Sequence, residues 1–361
     1  MAISPEVLND ALQELAPTYS NLFERFSPVL QKIVDKGNIE RNRLRGPYKE
    51  FRVITQGPGD VTQIVDGGEV LASTRKDITA KGNTYGSRLI YSFLVPDKDM
   101  AEATGPADVE HIIKQYPEAG LMDFHQRISK QLMNGNGTNV GGFLTFNGQT
   151  TYSPQGTGRT GVFEFDAEAS QNDEVFGLTK AAGVGGTPGW FNGYRDISSM
   201  ASDGISKLRQ AYFGASRRGK MSGPVDLLLA DEVSYTNYID LLDDRIIVED
   251  SVKGEAGADD LKQGIKFLAA TMFLEEFLDP TDAAVFSGAA LDGVIYGLKT
   301  STWHMYTLGS DAKMETAGDF AIRGPLRRPD MDAHQFEYVL YMGMYCDMLS
   351  ANFAVTGGRI P

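Results

Sequence analysis

STRKDITAKGNTYGSR, Ser73 to Arg88, offers only Ile78, Ala80 and Tyr85 as apolar side chains in sixteen residues. The LIYSFLV that follows, Leu89 to Val95, has the opposite character and is suited to a core. Residues 70–96 therefore read as two strands that leave a folded body and return to it, with nothing at the far end to pack against. A two-stranded ribbon alone is marginal in water, so a long polar one needs another surface to lie on. Its tip carries Arg75, Lys76, Lys81 and Arg88 against Asp77, a net charge of +3. The reading points to assembly ahead of chemistry, and deletion of Arg75–Arg88 is expected to leave a folded subunit.

The rest of the chain is acidic. Its 361 residues carry a formal charge of −14, which argues against a dedicated nucleic-acid binder. Residues 1–135 hold 16 Lys and Arg against 18 Asp and Glu, and residues 136–361 hold 18 against 30, so the net is −2 in the first part and −12 in the second. A basic arm on such a protein is drawn to an acidic neighbour. One cysteine, Cys346, excludes an internal disulfide framework, and no apolar run approaches the roughly 18 residues of a membrane span. MAISPEVLND shows no signal-peptide pattern, and a cytoplasmic product is expected.

Outward from the ribbon, hydrophobic periodicity sketches the other elements. Ser4 and Pro5 open a helical stretch, and a second, interrupted by Pro28, closes at Gly37. This is either a helical pair docked on the body or an arm packing on a neighbour. A basic run follows with Arg41, Arg43, Arg45, Lys49 and Arg52. Val109, Ile112, Ile113 and Tyr116, then Phe124, Ile128 and Leu132, predict a long helix over 107–134, divided or kinked at Pro117. A second globular unit begins near Asp196. It has a helix over 199–218, a buried strand through Val225–Ala230, a helix capped by Asp231, and strands at 265–270 and 292–308, the signature of a mixed α/β unit. Near the C-terminus, Phe336, Tyr338, Leu340, Met342, Met344, Cys346 and Met348 alternate along one face of a long strand, which the 107–134 helix is expected to cover.

A search for chemistry yields little. His111, His125, His304 and His334 are scattered without metal-ligand spacing. GTGRTG at 156–161 matches a dinucleotide fingerprint by letter, but it lacks the preceding strand and the following helix. The acidic stretch Asp240–Asp260 has neither EF-hand order nor hydrophobic period, and reads as a solvated loop. No catalytic, cofactor or metal residue is assigned.

In order, these elements resemble the major capsid proteins of tailed bacteriophages, whose Hong Kong 97 fold is shared with encapsulin shells. The likeness runs from about Arg41 to Pro361. The ribbon at 61–96 is placed like that family's extended loop, and the 107–134 helix, ending in QLMNGNGT at Gln131–Thr138, like its spine helix and glycine turn. Val225–Asp231 with the helix through Tyr235 and Tyr238 resembles its axial domain, and Tyr345–Phe353 its closing peripheral strands.

The resemblance implies an α+β, Hong Kong 97-like fold: an N-terminal arm (1–45), an extended β-ribbon loop and its base (46–105), a discontinuous peripheral domain with the spine helix (106–195 and 331–361), and an α/β axial domain (196–330). It implies a non-enzymatic shell subunit of the virion, assembled in the host bacterial cytoplasm as hexamers and pentamers around double-stranded DNA. The implied partners are other copies of the chain, a separate scaffolding protein, a portal and decoration proteins, with no cofactor and no membrane. Arg75, Lys76, Lys81, Tyr85 and Arg88 are the candidates for contact between subunits; Arg41, Arg43 and Arg45 are candidates for weak contact with DNA or a neighbour. Some relatives join Lys to Asn covalently, and Lys76 or Lys81 with Asn352 are the residue types this requires. The alternatives are an encapsulin-like compartment and a hydrolase using Asp243 or Asp250.

Overall fold

The computed structural model describes residues 29, 32–33, 36–41, 49–54, 79–84, 87–102, 174–175, 178–179, 193–198, 200–219, 223–242, 248–249, 264–275, 278, 293–307, 320–327 and 332–356. The expected 107–134 helix and most of the expected N-terminal pair and acidic loop lie outside these residues.

In chain order the elements are β1 (Ile39–Arg41), β2 (Lys49–Ile54), β3 (Thr79–Thr84), β4 (Ser87–Pro96), a short helix α1 (Asp97–Glu102), β5 (Glu174–Val175), β6 (Leu178–Thr179) and β7 (Gly193–Asp196). A π-type turn, Met200–Gly204, leads into α2 (Ile205–Arg218), followed by β8 (Leu227–Ala230), α3 (Glu232–Leu242), β9 (Val248–Glu249), β10 (Gly264–Phe267) and β11 (Ala270–Leu274). The rest are β12 (Val294–Leu298), β13 (Trp303–Thr307), β14 (Phe320–Arg327), β15 (Ala333–Cys346) and β16 (Phe353–Thr356). The chain divides into two compact units. The first comprises 1–49, 85–149 and 304–344; the second comprises 50–84, 150–303 and 345–361.

The first unit is built on a sheet in the order β1-β13-β15-β14, with β4 also pairing β15. β4 and β15 run antiparallel over ten pairs, from Ala333 opposite Pro96 to Met342 opposite Ser87. Phe93 and Phe336, paired in that register, stack with ring centroids 5.6 Å apart. The expected face of β15 is buried at Phe336, Met342, Met344 and Cys346. Val339 and Tyr345, on the opposite face, are buried as well, so the strand is covered on both sides rather than on one. It also stops short of the expected Met348, at Cys346, where the Asp347 N–H turns to donate to the Thr302 carbonyl at 3.0 Å.

The second unit holds a seven-stranded sheet in the order β7-β16-β12-β8-β11-β10-β9. β8 is parallel to β11 and antiparallel to β12, and its four side chains are wholly buried, as a strand with both faces covered requires. α2 buries Leu208, Ala211, Tyr212 and Ala215 at helical spacing against this sheet. Phe267 of β10 is met edge-on by Tyr212 and by Tyr238 of α3. The closing strand β16 pairs β12 and β7 in this sheet. The resemblance had implied that it belongs with β15 in the closing peripheral strands; the 3-10 turn at Leu349–Ala351 separates the two.

Asp231 stands where a cap was expected, with its carbonyl accepting from the Tyr235 N–H at 2.9 Å. Its Oδ1 reaches outside the helix, to the Val294 N–H at 2.8 Å. Burial pushes this carboxyl above the usual range. A raised folded-state value means that stability falls as pH rises through the window between the unfolded value, about 3.9, and the folded one. Asp231→Asn keeps an acceptor for Val294 and removes the charge. Relative to wild type, this variant is expected to be favoured at pH 7 and to lose that advantage towards pH 4, as read by urea unfolding midpoints.

Candidate assembly site

The ribbon exists, with different strands from those expected. β3 pairs β2, and β4 runs into the five-stranded sheet beside β15. The two arms of the ribbon are therefore 49–54 and 79–84, and the residues between them, 55–78, lie outside the described set. The expectation of a hairpin within 70–96 took the nearest polar stretch as the turn. The pairing that wins joins strands two dozen residues apart, because it buries Phe51 and Val53.

The period of two along both arms gives the ribbon two unlike faces. On one, Phe51, Val53 and Thr84 are buried. Phe51 stacks on Tyr345 with centroids 4.5 Å apart and planes 24° from parallel. Gly82 makes this possible: a Cβ there would lie 2.5 Å from Cζ of Phe51. On the other face Glu50, Arg52, Thr79 and Lys81 are exposed. Lys81 Nζ is 3.8 Å from Glu50 Oε2, an exposed cross-strand pair that contributes at most about 1 kcal/mol. A deletion of Arg75–Arg88 would remove β3 and the buried Gly82 and Thr84, so the expectation that the subunit folds without it is corrected.

The structure separates the predicted contact residues. Lys81 sits on the exposed ribbon face. Arg88 is opposite Tyr341 within β4, so it is no part of a ribbon tip. Arg41 ends β1, opposite Thr307. Arg75, Lys76, Tyr85, Arg43 and Arg45 lie outside the described residues. Sequence reasoning missed Phe51, Gly82 and Tyr345; an isolated glycine inside a strand is the signal that pointed to a close approach.

Asn352 is a second correction. It was a candidate for covalent joining to lysine, which needs its carboxamide carbon open to attack. Instead the residue is wholly buried. Its Oδ1 accepts from the Lys299 N–H at 2.7 Å and from Trp303 Nε1–H at 3.0 Å. Its Nδ2 donates to the Met348 carbonyl at 3.1 Å and to Thr302 Oγ1 at 3.3 Å. The four hydrogen bonds an amide can make are thus committed. Cys346 lies in the same cluster, 3.5 Å from Thr302 Oγ1, and burial pushes its thiol far above the ordinary range, which disfavours the reactive thiolate. Among the described residues no group of three His, Cys, Asp or Glu is placed to hold a metal ion, and no helix is long and apolar enough to cross a membrane.

No family model matches this sequence, and no curated protein matches it. Solved structures do. The chain is similar to that of the cyanophage A-1(L) capsid asymmetric unit, at 8% identity over 92% of this chain and 94% of the other, with a TM-score of 0.58. It is also similar to the capsid chain of a native GTA particle, at 9% identity over 91% of each and a TM-score of 0.51. At these identities the likeness shows the fold: this chain is built on the architecture of phage capsid proteins.

Two variants test the geometry. Gly82→Val is expected to displace Phe51 from Tyr345 and cost about 1–3 kcal/mol, the usual range for overpacking, read as a lowered melting temperature. Asn352→Ala leaves buried donors and acceptors without partners and is expected to cost about 3 kcal/mol in urea unfolding. The wild-type protein should show no lysine–Asn352 isopeptide on peptide mapping.

Proposed function

We propose that this chain is the major capsid subunit of a tailed-phage head, assembling as hexamers and pentamers into an icosahedral shell around double-stranded DNA. The observation that carries the reading is a capsid fold shared over nine-tenths of the chain. The ribbon supports it. Phe51, Val53, Gly82 and Thr84 fix its base to its own subunit, and the outward face is charged, suited to reversible contact. In this reading the seven-stranded unit serves as the axial domain and the five-stranded unit as the core of the peripheral domain.

Arg75, Lys76 and Lys81, with Tyr85, are assigned to contact with an adjacent subunit. Arg88, within β4, contributes to the same interface from the sheet. Arg41, Arg43 and Arg45 are assigned weak contact with packaged DNA or with a neighbouring subunit. Weak contact suits the chain's charge of −14, since phosphate contacts repeated over many copies accumulate. A separate scaffolding protein, a portal and decoration proteins complete the assembly, and the subunit's place is the virion.

Purified protein, alone or co-expressed with its scaffold, is expected to form uniform closed particles in electron microscopy. Protein that stays monomeric under both conditions overturns the reading. Reversal of Arg75, Lys76 and Lys81 to Glu should weaken assembly, more so at low ionic strength where screening is least.

A further inference from the structure

The two helices of the second unit carry opposite charge. α2 holds Lys207, Arg209, Arg217 and Arg218 with no acid, and α3 holds Glu232 and Asp240 with no base. They lie on one side of the sheet, since Tyr212 of α2 and Tyr238 of α3 both meet Phe267 edge-on. The fold asks of each helix only its buried stripe, which leaves the charge on the solvent faces to be explained.

Those faces match in spacing as well as in sign. Arg209, Phe213 and Arg217 follow at intervals of four along α2 and are all exposed. Phe213, 49% exposed, sits midway between the arginines, its ring held edge-on by Tyr212 at a centroid distance of 5.7 Å. On α3, Glu232, Thr236 and Asp240 are exposed at the same intervals, with Val233 and Leu241 beside them, each 38% exposed. The two arginines are thus as far apart as the two acids, about 12 Å along either helix. Among the described residues none of Arg209, Arg217, Glu232 and Asp240 makes an ion pair. An aromatic side chain flanked by arginines has the anatomy of an interface anchor and its rim.

We infer that the α2 face docks on the α3 face of a second copy of this chain. Arg209 and Arg217 receive Glu232 and Asp240, and Phe213 seats over the short Thr236, between Val233 and Leu241. Arginine forks grip a carboxylate through two parallel hydrogen bonds, which fixes orientation as well as adding affinity. Complementarity selects this occupant. A basic face alone would also suit phosphate, but the acids of the neighbouring helix repel a polyanion, and phosphate gives Phe213 nothing to bury against. A contact in which each copy offers α3 and receives on α2 joins unlike surfaces, and it closes into a ring when the rotation allows. The inference rests on the shell-subunit reading and names one contact within it.

The test uses charge reversal in the full chain: Arg209→Glu/Arg217→Glu on α2, Glu232→Lys/Asp240→Lys on α3, and all four changes together. Sedimentation velocity over a concentration series follows assembly, a short fluorescent DNA duplex probes phosphate binding, and thermal melting is read at a concentration where all are monomeric. Each single-helix reversal is expected to need about tenfold more protein to assemble, the scale of losing a close charge pair. The fourfold variant, complementary again with the signs exchanged, should recover most of that loss. Arg209→Gln/Arg217→Gln, which removes charge without reversing it, carries the same expectation where a reversal lowers the melting temperature. Phe213→Ser should weaken assembly and leave the monomer's melting unchanged. Reversals that assemble like wild type overturn the inference and leave the shell reading standing. A fourfold variant that melts like wild type yet assembles no better than either reversal overturns it too. Duplex binding lost on reversing α2 with assembly intact makes the partner a phosphate and overturns it. A destabilised Phe213→Ser monomer makes the ring structural and overturns it. A wild type that never assembles, with or without scaffold, overturns both readings.

Discussion

The side-chain amide of Asn352 is the interaction on which most of the second unit depends. Its bonds reach the Lys299 backbone and Trp303 on one side, and Met348 and Thr302 on the other. These positions bracket the two points at which the chain leaves this unit, after Trp303, and returns to it, at Tyr345. A chain that departs for forty residues and comes back must find its register again, and burial alone is non-directional. Four hydrogen bonds with fixed geometry supply the direction. Nearby, Asp226 takes the Thr300 N–H and hydroxyl at 2.8 and 2.7 Å, holding the same connection from its other end. From this joint β16 enters the sheet beside β12, and β7 can then add beside β16.

What was legible in the sequence follows from how far each structural decision reaches along the chain. The α2 stripe, the strand at Leu227–Ala230 and the cap at Asp231 are local, and their periodicity is enough to place them. The alternating residues of β15 were equally plain. That Val339 and Tyr345 would be buried too was not, because a second covering layer leaves no trace in the strand's own pattern. The ribbon failed for a related reason. Thr79–Thr84 is a polar strand with little to recommend it, and its partner Lys49–Ile54 is distant in sequence. The pairing buries Phe51 and Val53 and seats Phe51 over Gly82, and a fit between two surfaces is not a periodicity.

The same limit applies to charge. Counting residues gave a basic tip with Arg88 in it, yet Arg88 belongs to a sheet strand and Lys81 already faces Glu50. Conversely, Gly193 and Arg218 are separated by a whole helix in sequence and drew no notice. Folding sets the Arg218 guanidinium against Gly193, and that glycine then acquires a reason that composition could not supply.

In the proposed reading, stability and assembly are carried by different side chains, often on neighbouring positions of one strand. Phe51, Val53 and Gly82 tie the ribbon to its own subunit, while Glu50, Arg52 and Lys81 between them stay in solvent. A shell made of many copies needs this separation. Each contact must be weak enough to correct during growth, and each subunit must be folded before it makes any. Burying apolar area in the contact would strengthen it at the risk of trapping misplaced copies; exposed charges give a contact whose strength ionic conditions can tune.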